Sequence, residues 1–269
     1  MHIGTLTDAQ RLDFEARGYL VLNTRADTLA CLQSAFDRAA QQDRLHDLPN
    51  QDDAFLHLAE HPDFFPSVYS ILSDDVQLCS ITGLHLPPAS PGRGWHREVA
   101  GLLGVHHPIS TLCLQVFFHL DDGPEDEPLL TVVPGSHRFK SDLPFPAITY
   151  IEDMPHSVAP PTKAGDALLV HGNLWQARRR NRSNTSRRLL ELTYIHCWMR
   201  QALPPLSAAA KDIVLASHNL SQLFGVTDDV ARAANYWHLQ IEGYPPSTGL
   251  PARRFSPLKV VGKGTGPNT

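Results

Sequence analysis

A mainly β fold, a double-stranded β-helix or jelly roll of two antiparallel sheets with flanking α-helices, is predicted by three features of the 269-residue chain. Leu112, Leu114, Val116, Phe118 and Leu120 alternate with Cys113, Gln115, Phe117 and His119, the period-two pattern of a strand with two distinct faces. The segment from Leu189 to Met199 reads as a second such strand, and Arg187 at its start shares a face with Leu189, Glu191 and Thr193. Helical spacing appears near the two ends of the chain, which sets helices around a central β region.

Taken in order, Thr7 with Gln10 three residues on is a capping-box pattern and Gly18 a stop signal. Residues 8–17 therefore read as a short helix leading into a strand from Tyr19 to Leu22. A second helix is predicted from about Thr28 to Arg44, with Leu29, Leu32 and Phe36 on one face. Residues 46–66, polar and broken by Pro49, Pro62 and Pro66, read as a loop with short helical turns. From Val76 the pattern is β. In the strand at 112–120 the wholly apolar face is expected to pack between the sheets, and the face with Gln115 and His119 to line a pocket. The acidic run from Asp121 to Pro128 fits no EF-hand spacing and reads as a solvated loop. Residues 142–163 hold Pro144, Pro146, Pro155, Pro160 and Pro161 without a long periodic segment, as in an insertion that serves as a lid. Ala208 to Leu223 and Asp228 to Trp237, the latter capped by Thr227, are predicted helices packed on the sheet or at a homodimer contact. Trp237, Tyr244 and Phe255 are read as core residues.

The net charge of -5 supplies no global basic field, so neither nucleic acid nor an anionic membrane is expected as a partner. The basic run Arg178, Arg179, Arg180 and Arg182 reads as a solvated loop. Cys31, Cys79, Cys113 and Cys197 show no C-x-x-C spacing, which argues against a zinc site or disulfide framework and for a reducing compartment. With no charged-then-apolar leader pattern and no apolar run of membrane-spanning length, the chain reads as a soluble, cytoplasmic protein.

Chemistry concentrates in Trp95-His96-Arg97-Glu98 and in the stretch Gly165 to Gln176. On an extended strand His96 and Glu98 point to one face and can converge on one ion. A third ligand from a distant strand would complete a facial triad of the kind that holds iron(II) with positions left open.

These stretches and their neighbours resemble the phytanoyl-CoA dioxygenase (PhyH) family of iron(II)- and 2-oxoglutarate-dependent oxygenases. The resemblance runs through Leu6 to Gln10 and Phe14 to Leu22, the Trp95-His96 pair, Val132-Val133-Pro134-Gly135-Ser136-His137-Arg138, Gly165-Asp166-Ala167, and Asn181-Arg182-Ser183 with Arg187-Arg188. It implies a jelly-roll, cupin-like fold in one domain over residues 1–261, followed by a flexible tail at 262–269. It also implies Fe(II) and 2-oxoglutarate as cofactors, with metal ligands at His96, Glu98 and position 176. Two departures fall on the metal: Glu98 stands where the family usually has Asp, and Gln176 where it has the distal His. His171 matches an earlier His of the family's stretch and is taken with His96 and Glu98 as catalytic. Arg187, eleven residues after Gln176, matches the family's arginine that pairs with the far carboxylate of 2-oxoglutarate. Gln115 is assigned to the cofactor with it.

The implied function is oxidation of a C–H bond in a small, hydrophobic molecule, within specialised metabolism. Two other classes fit the same residues. His96, Glu98, His171, Gln115 and His119 suffice for the general acid-base work of a redox-neutral isomerase, lyase or cyclase. A relative that only binds a ligand would keep the pocket without the chemistry.

Overall fold

The chain enters through α1, Asp8–Arg17, in a computed structural model that describes residues 6–24, 26–73, 76–98, 111–124, 128–139 and 143–226. The expected capping box is closed: the Gln10 N–H donates to Thr7 Oγ1 at 3.2 Å and the Thr7 N–H to Gln10 Oε1 at 2.9 Å. Gly18 ends the helix at φ +80°, where a Cβ would also lie 2.5 Å from His137 Nδ1, so only glycine fits this cap. The chain then turns into β1, Tyr19–Leu22.

Helices α2 (Leu29–Gln41), α3 (Asp53–Leu58) and α4 (Phe65–Leu72) precede the sheets. The strands are β2 (Val76–Leu86), β3 (Arg93–His96), β4 (Cys113–His119), β5 (Leu130–Val133), β6 (Ala167–His171), β7 (Trp175–Arg178) and β8 (Arg187–His196). They form a five-stranded sheet in the order β1-β6-β4-β8-β2 and a three-stranded sheet in the order β3-β7-β5, antiparallel throughout. A bridge between Val132 and Val158 extends the smaller sheet beyond β5. This is the predicted jelly roll. Two C-terminal helices, α5 (Ala208–Ala216) and α6 (His218–Leu223), join α2 to α4 on the outer face of the larger sheet.

The wholly apolar face of β4 does not pack between the sheets as expected. Leu114, Val116, Phe118 and Leu120 share a core with Phe36, Phe65 and other helical residues outside the larger sheet. Phe117 lies between the sheets with Leu130, Val132, Leu168, Val170 and Leu174. Alternation fixes which residues share a face, but the helices, being the larger apolar surface, claim the wholly apolar one.

Other boundaries also shift. The predicted helix from Thr28 to Arg44 is shorter, and α4 replaces the end of a predicted loop because Phe65, Val68, Tyr69 and Leu72 are buried on its face. The single helix expected over 208–223 breaks at Ser217, whose Oγ accepts the Leu220 N–H at 3.3 Å and restarts the chain as α6. Asp121 is no solvated loop residue: its carboxylate accepts from Arg188 Nη2 at 2.6 Å and from the Arg188 backbone N–H at 2.7 Å. The proline-rich insertion lies largely on the outer face of the smaller sheet, where Phe145, Ile148 and Met154 meet Trp95, Val133 and Trp175. Among the described residues no helix is long and apolar enough to cross a membrane. The helix expected at 228–237 with its Thr227 cap, Tyr244, Phe255 and the tail at 262–269 lie outside the described residues.

Candidate active site

Between the sheets, β7 is the central strand of the smaller one, and Gln176 stands in register with His96 on one side and Val132 on the other. Two residues along, Arg178 is in register with Arg93 and Leu130. Facing them across the interior are Gln115, in register with Thr193, and Phe117, in register with Glu191. Glu98 follows β3, its backbone N–H donating to Gly172 O at 2.9 Å. His96 and Gln176 therefore sit side by side on adjacent strands, with Glu98 two residues beyond His96.

The local chemistry is specific. His96 Nδ1 lies 2.8 Å from Gly94 O; because a carbonyl only accepts, Nδ1 carries the proton and Nε2 keeps its lone pair. Burial pushes the His96 pKa down, with the charges of Arg93 and Arg178 also lowering it while the Gly94 bond and Glu98 oppose them. The ring stays neutral at physiological pH. Glu98 Oε2 is buried without a hydrogen bond, 3.8 Å from Arg93 Nη2.

Gln176, 3% exposed, is tied across the interior rather than turned to solvent. Its Nε2 donates to Gln115 Oε1, and Gln115 Nε2 donates in turn to Glu191 Oε1 at 2.7 Å. Burial and the charge of Glu98 push the Glu191 carboxyl up, while the Gln115 bond and the charges of Arg93 and Arg178 hold it down. Arg178, expected in a solvated loop, is half-buried and its Nε makes no hydrogen bond; burial lowers its pKa and Glu191 counters.

Arg187 lies toward the other end of the same inner face of β8. It is 3% exposed and lines a pocket of about 840 Å³ with Val21, Asn23, Asp122, Lys163 and Asp166. Pro161, Thr162 and Lys163 of the proline-rich insertion and its exit line this pocket as well. His96, Glu98 and Gln176 are not among its walls. Gly123 closes over the guanidinium so tightly that a Cβ there would lie 2.1 Å from Arg187 Cζ. The same guanidinium and, more strongly, burial push the His119 pKa down to about 3. Asn181 shapes the β7–β8 connection that delivers Arg187, donating to Leu86 O and Thr185 O, both at 2.8 Å.

His171 sits elsewhere. It is in register with Leu114, on the face turned to α1, with its ring 6.3 Å from Phe14 and 4.9 Å from His137. Its Nδ1 accepts the Asn173 N–H at 3.0 Å. Strand parity sets it on the opposite face of the larger sheet from Gln115, so the structure does not bring it together with His96. The Pro-Gly-Ser-His turn is likewise architectural: the Gly135 N–H donates to Arg17 O at 2.9 Å and Ser136 Oγ accepts the Trp175 N–H at 2.8 Å, docking α1 on β7. Sequence reasoning missed Glu191, Arg93 and Arg178 as members of the site. For Glu191 the available signal was its parity with Arg187.

Fold and interior together define a double-stranded β-helix with a His-x-carboxylate pair inside it. The chain belongs to the phytanoyl-CoA dioxygenase (PhyH) family, whose profile matches residues 14–189. HygX from Streptomyces hygroscopicus, solved with nickel and 2-oxoglutarate bound, aligns at 19% identity with a TM-score of 0.62, over 73% of this chain and 90% of that one. EctD from S. alaskensis in its apoform aligns at 18% and 0.60, over 76% and 84%. The non-heme alpha ketoglutarate dependent carbocyclase SnoK from nogalamycin biosynthesis aligns at 16% and 0.58, over 71% and 84%. At these identities the likeness establishes the fold.

The residues present fit a divalent cation. His96 Nε2 keeps its lone pair while Nδ1 is anchored to a backbone carbonyl, the usual second bond of a metal-binding histidine. Glu98 Oε2 is a buried acceptor with no hydrogen bond. Among the described residues no group of three His, Cys, Asp or Glu side chains is gathered for an ion, and the side chain in register with His96 is the amide of Gln176.

Proposed function

We propose that the chain is an Fe(II)- and 2-oxoglutarate-dependent oxygenase acting on a C–H bond of a small, hydrophobic molecule in specialised metabolism. The observation that carries this reading is the register match of His96 with Gln176 on the inner face, with Glu98 two residues beyond His96, in a chain of the PhyH family. His96, Glu98 and Gln176 would hold the metal. Arg187 offers the co-substrate's far carboxylate a planar, two-pronged donor, and Gln115 an amide beside the metal. When bound, iron(II) supplies oxygen activation coupled to oxidative decarboxylation of 2-oxoglutarate. The chain's own residues supply the rest. His96 stays neutral and so keeps its donor electrons, while Phe117, Val132, Leu168 and Val170 exclude water from one wall of the interior. Nickel and 2-oxoglutarate in HygX, and the nogalamycin pathway of SnoK, support the cofactors and the metabolic setting. A cytoplasmic location belongs to the same reading and is supported by the four cysteines being free thiols.

Anaerobic Fe(II) titration followed by succinate assay tests it. The wild type is expected to bind iron weakly and to decarboxylate 2-oxoglutarate slowly, and Gln176→His to bind iron roughly tenfold or more tightly, since imidazole replaces a neutral oxygen. Equal iron affinity in the two proteins would remove Gln176 from the ligand position. The ion pair of Glu98 with Arg93 and the anchoring of Gln176 by Gln115 favour one other reading, a redox-neutral enzyme in which the buried carboxyls move protons. Such an enzyme would keep its activity in chelator and lose little in Arg187→Ala.

A further inference from the structure

We infer that Glu191 is a positioning residue: through Gln115 it fixes the amide orientation of Gln176 so that the oxygen, not the nitrogen, is presented beside His96 and Glu98. The inference rests on the metal reading above and assigns a role to a residue outside the metal set. An amide can hydrogen-bond a second amide in either orientation, since each carries one acceptor oxygen and one donor nitrogen. Gln176 and Gln115 alone would therefore leave open which atom of residue 176 faces the ion. Glu191 breaks that symmetry. Gln115 Nε2 donates to Glu191 Oε1 at 2.7 Å, so this carboxyl oxygen serves as the acceptor that holds the nitrogen of Gln115 on its side. Gln115 Oε1 is then the atom left for β7, and it takes the N–H of Gln176 Nε2. With its nitrogen committed to Gln115, Gln176 directs Oε1 away from that bond, on the strand whose register neighbour is His96. Reversing either amide would bring two acceptors face to face at Glu191 or at Gln115.

The placement follows from the fold. Glu191 is in register with Phe117, two residues from Gln115 on the same inner face of the larger sheet, while Gln176 is on the smaller sheet. The relay thus spans the interior, and each member is half-buried or buried, where a misdirected amide finds no water to compensate it. Outer partners that orient ligating side chains typically change metal affinity by about 10- to 100-fold when lost.

The test is anaerobic Co(II) titration of the full chain, read by the cobalt d–d absorption, in the wild type, Glu191→Gln, Gln115→Met and the double variant. Glu191→Gln keeps the shape but adds a donor and releases the lock. Gln115→Met keeps the charge of Glu191 and cuts the relay. Each single change is expected to weaken Co(II) binding roughly tenfold, and the double variant no further than either. Glu191→Asp, which keeps the carboxyl and guards against a fold defect in the other variants, is expected to retain the wild-type absorption band. Unchanged affinity in Glu191→Gln would overturn the relay while leaving the metal reading in place. So would weakening in Glu191→Gln but not in Gln115→Met, which marks a field effect of the lost charge, or additive losses in the double variant. A wild type that binds no Co(II) would overturn the metal reading and the relay with it.

Discussion

The two faces of β4 are equally buried and differ in what they require of their neighbours. Leu114, Val116 and Phe118 are at most 1% exposed against the helices, and Gln115, Phe117 and His119 at most 4% between the sheets. On the helical face the contacts are non-directional: the rings of His61 and Phe64 lie 6.0 and 6.3 Å from that of Phe118 at tilts near 46°, and size and shape decide the fit. On the inner face Gln115 meets particular donors and acceptors, Gln176 and Glu191, and His119 Nδ1 lies 3.4 Å from Thr162 Oγ1 while its Nε2 is buried without a hydrogen bond. Burial alone therefore does not separate scaffold from site in this protein. Directionality does.

The largest effect expected from breaking this division is on the helical face. Phe118→Ala should cost about 3–5 kcal/mol by urea denaturation and leave the Co(II) affinity of the folded fraction unchanged. A parallel loss of metal affinity would mean that the two faces are coupled.

Next comes His119, whose pKa is held near 3 by burial and by Arg187. Above about pH 6.5 the ring is neutral in the folded and unfolded chain alike. As the pH falls below that value the unfolded chain takes up a proton that the folded chain refuses, so stability is lost until the folded group itself titrates near pH 3. The loss should be on the order of a few kcal/mol across that window, and His119→Gln should flatten it in denaturation curves taken at stepped pH. An acid limb unchanged by the substitution would assign the loss to other groups.

A smaller effect tests the far end of the inner face. Gly123→Ala would set a methyl 2.1 Å from Arg187 Cζ and force the guanidinium to move. Binding of 2-oxoglutarate should weaken by roughly tenfold, about the value of a charge-assisted hydrogen bond, with little change in Tm. Equilibrium binding that ignores the methyl would take Arg187 out of the co-substrate's path. The smallest effect is expected outside both faces. Arg97 stacks 5.3 Å from the rings of Phe145 and Trp175 on the outer side of the smaller sheet, and Arg97→Ala should cost about 1 kcal/mol of stability. A larger loss would show the proline-rich insertion to be a structural strap for β7.

Several parts of this molecule are legible without coordinates because their causes are local. The capping box at Thr7 and Gln10 with the stop at Gly18 defines α1 within a few residues of chain. The alternation over 112–120 yields β4, and parity along β8 sets Arg187 and Glu191 on one face. The His96-x-Glu98 pair and the spacing from Gln176 to Arg187 mark the candidate site for the same reason. What stayed hidden depends on distant partners. Nothing near His171 in the sequence says that it faces Phe14 and His137 while Gln176 faces Gln115, since both histidine and glutamine sit in one apolar stretch. Arg93 and Arg178 resemble solvated charges until the register of β3 with β7 brings them together.

By itself, then, the sequence determines which side chains share a face and where helices start and stop, because strand parity and capping are settled by residues one to four apart. Only the tertiary structure decides which face of β4 looks inward, and that Gln176, Gln115 and Glu191 meet in one directed relay. Those outcomes depend on helices and strands tens of residues away competing for the same apolar surface, and on donors finding acceptors across two sheets.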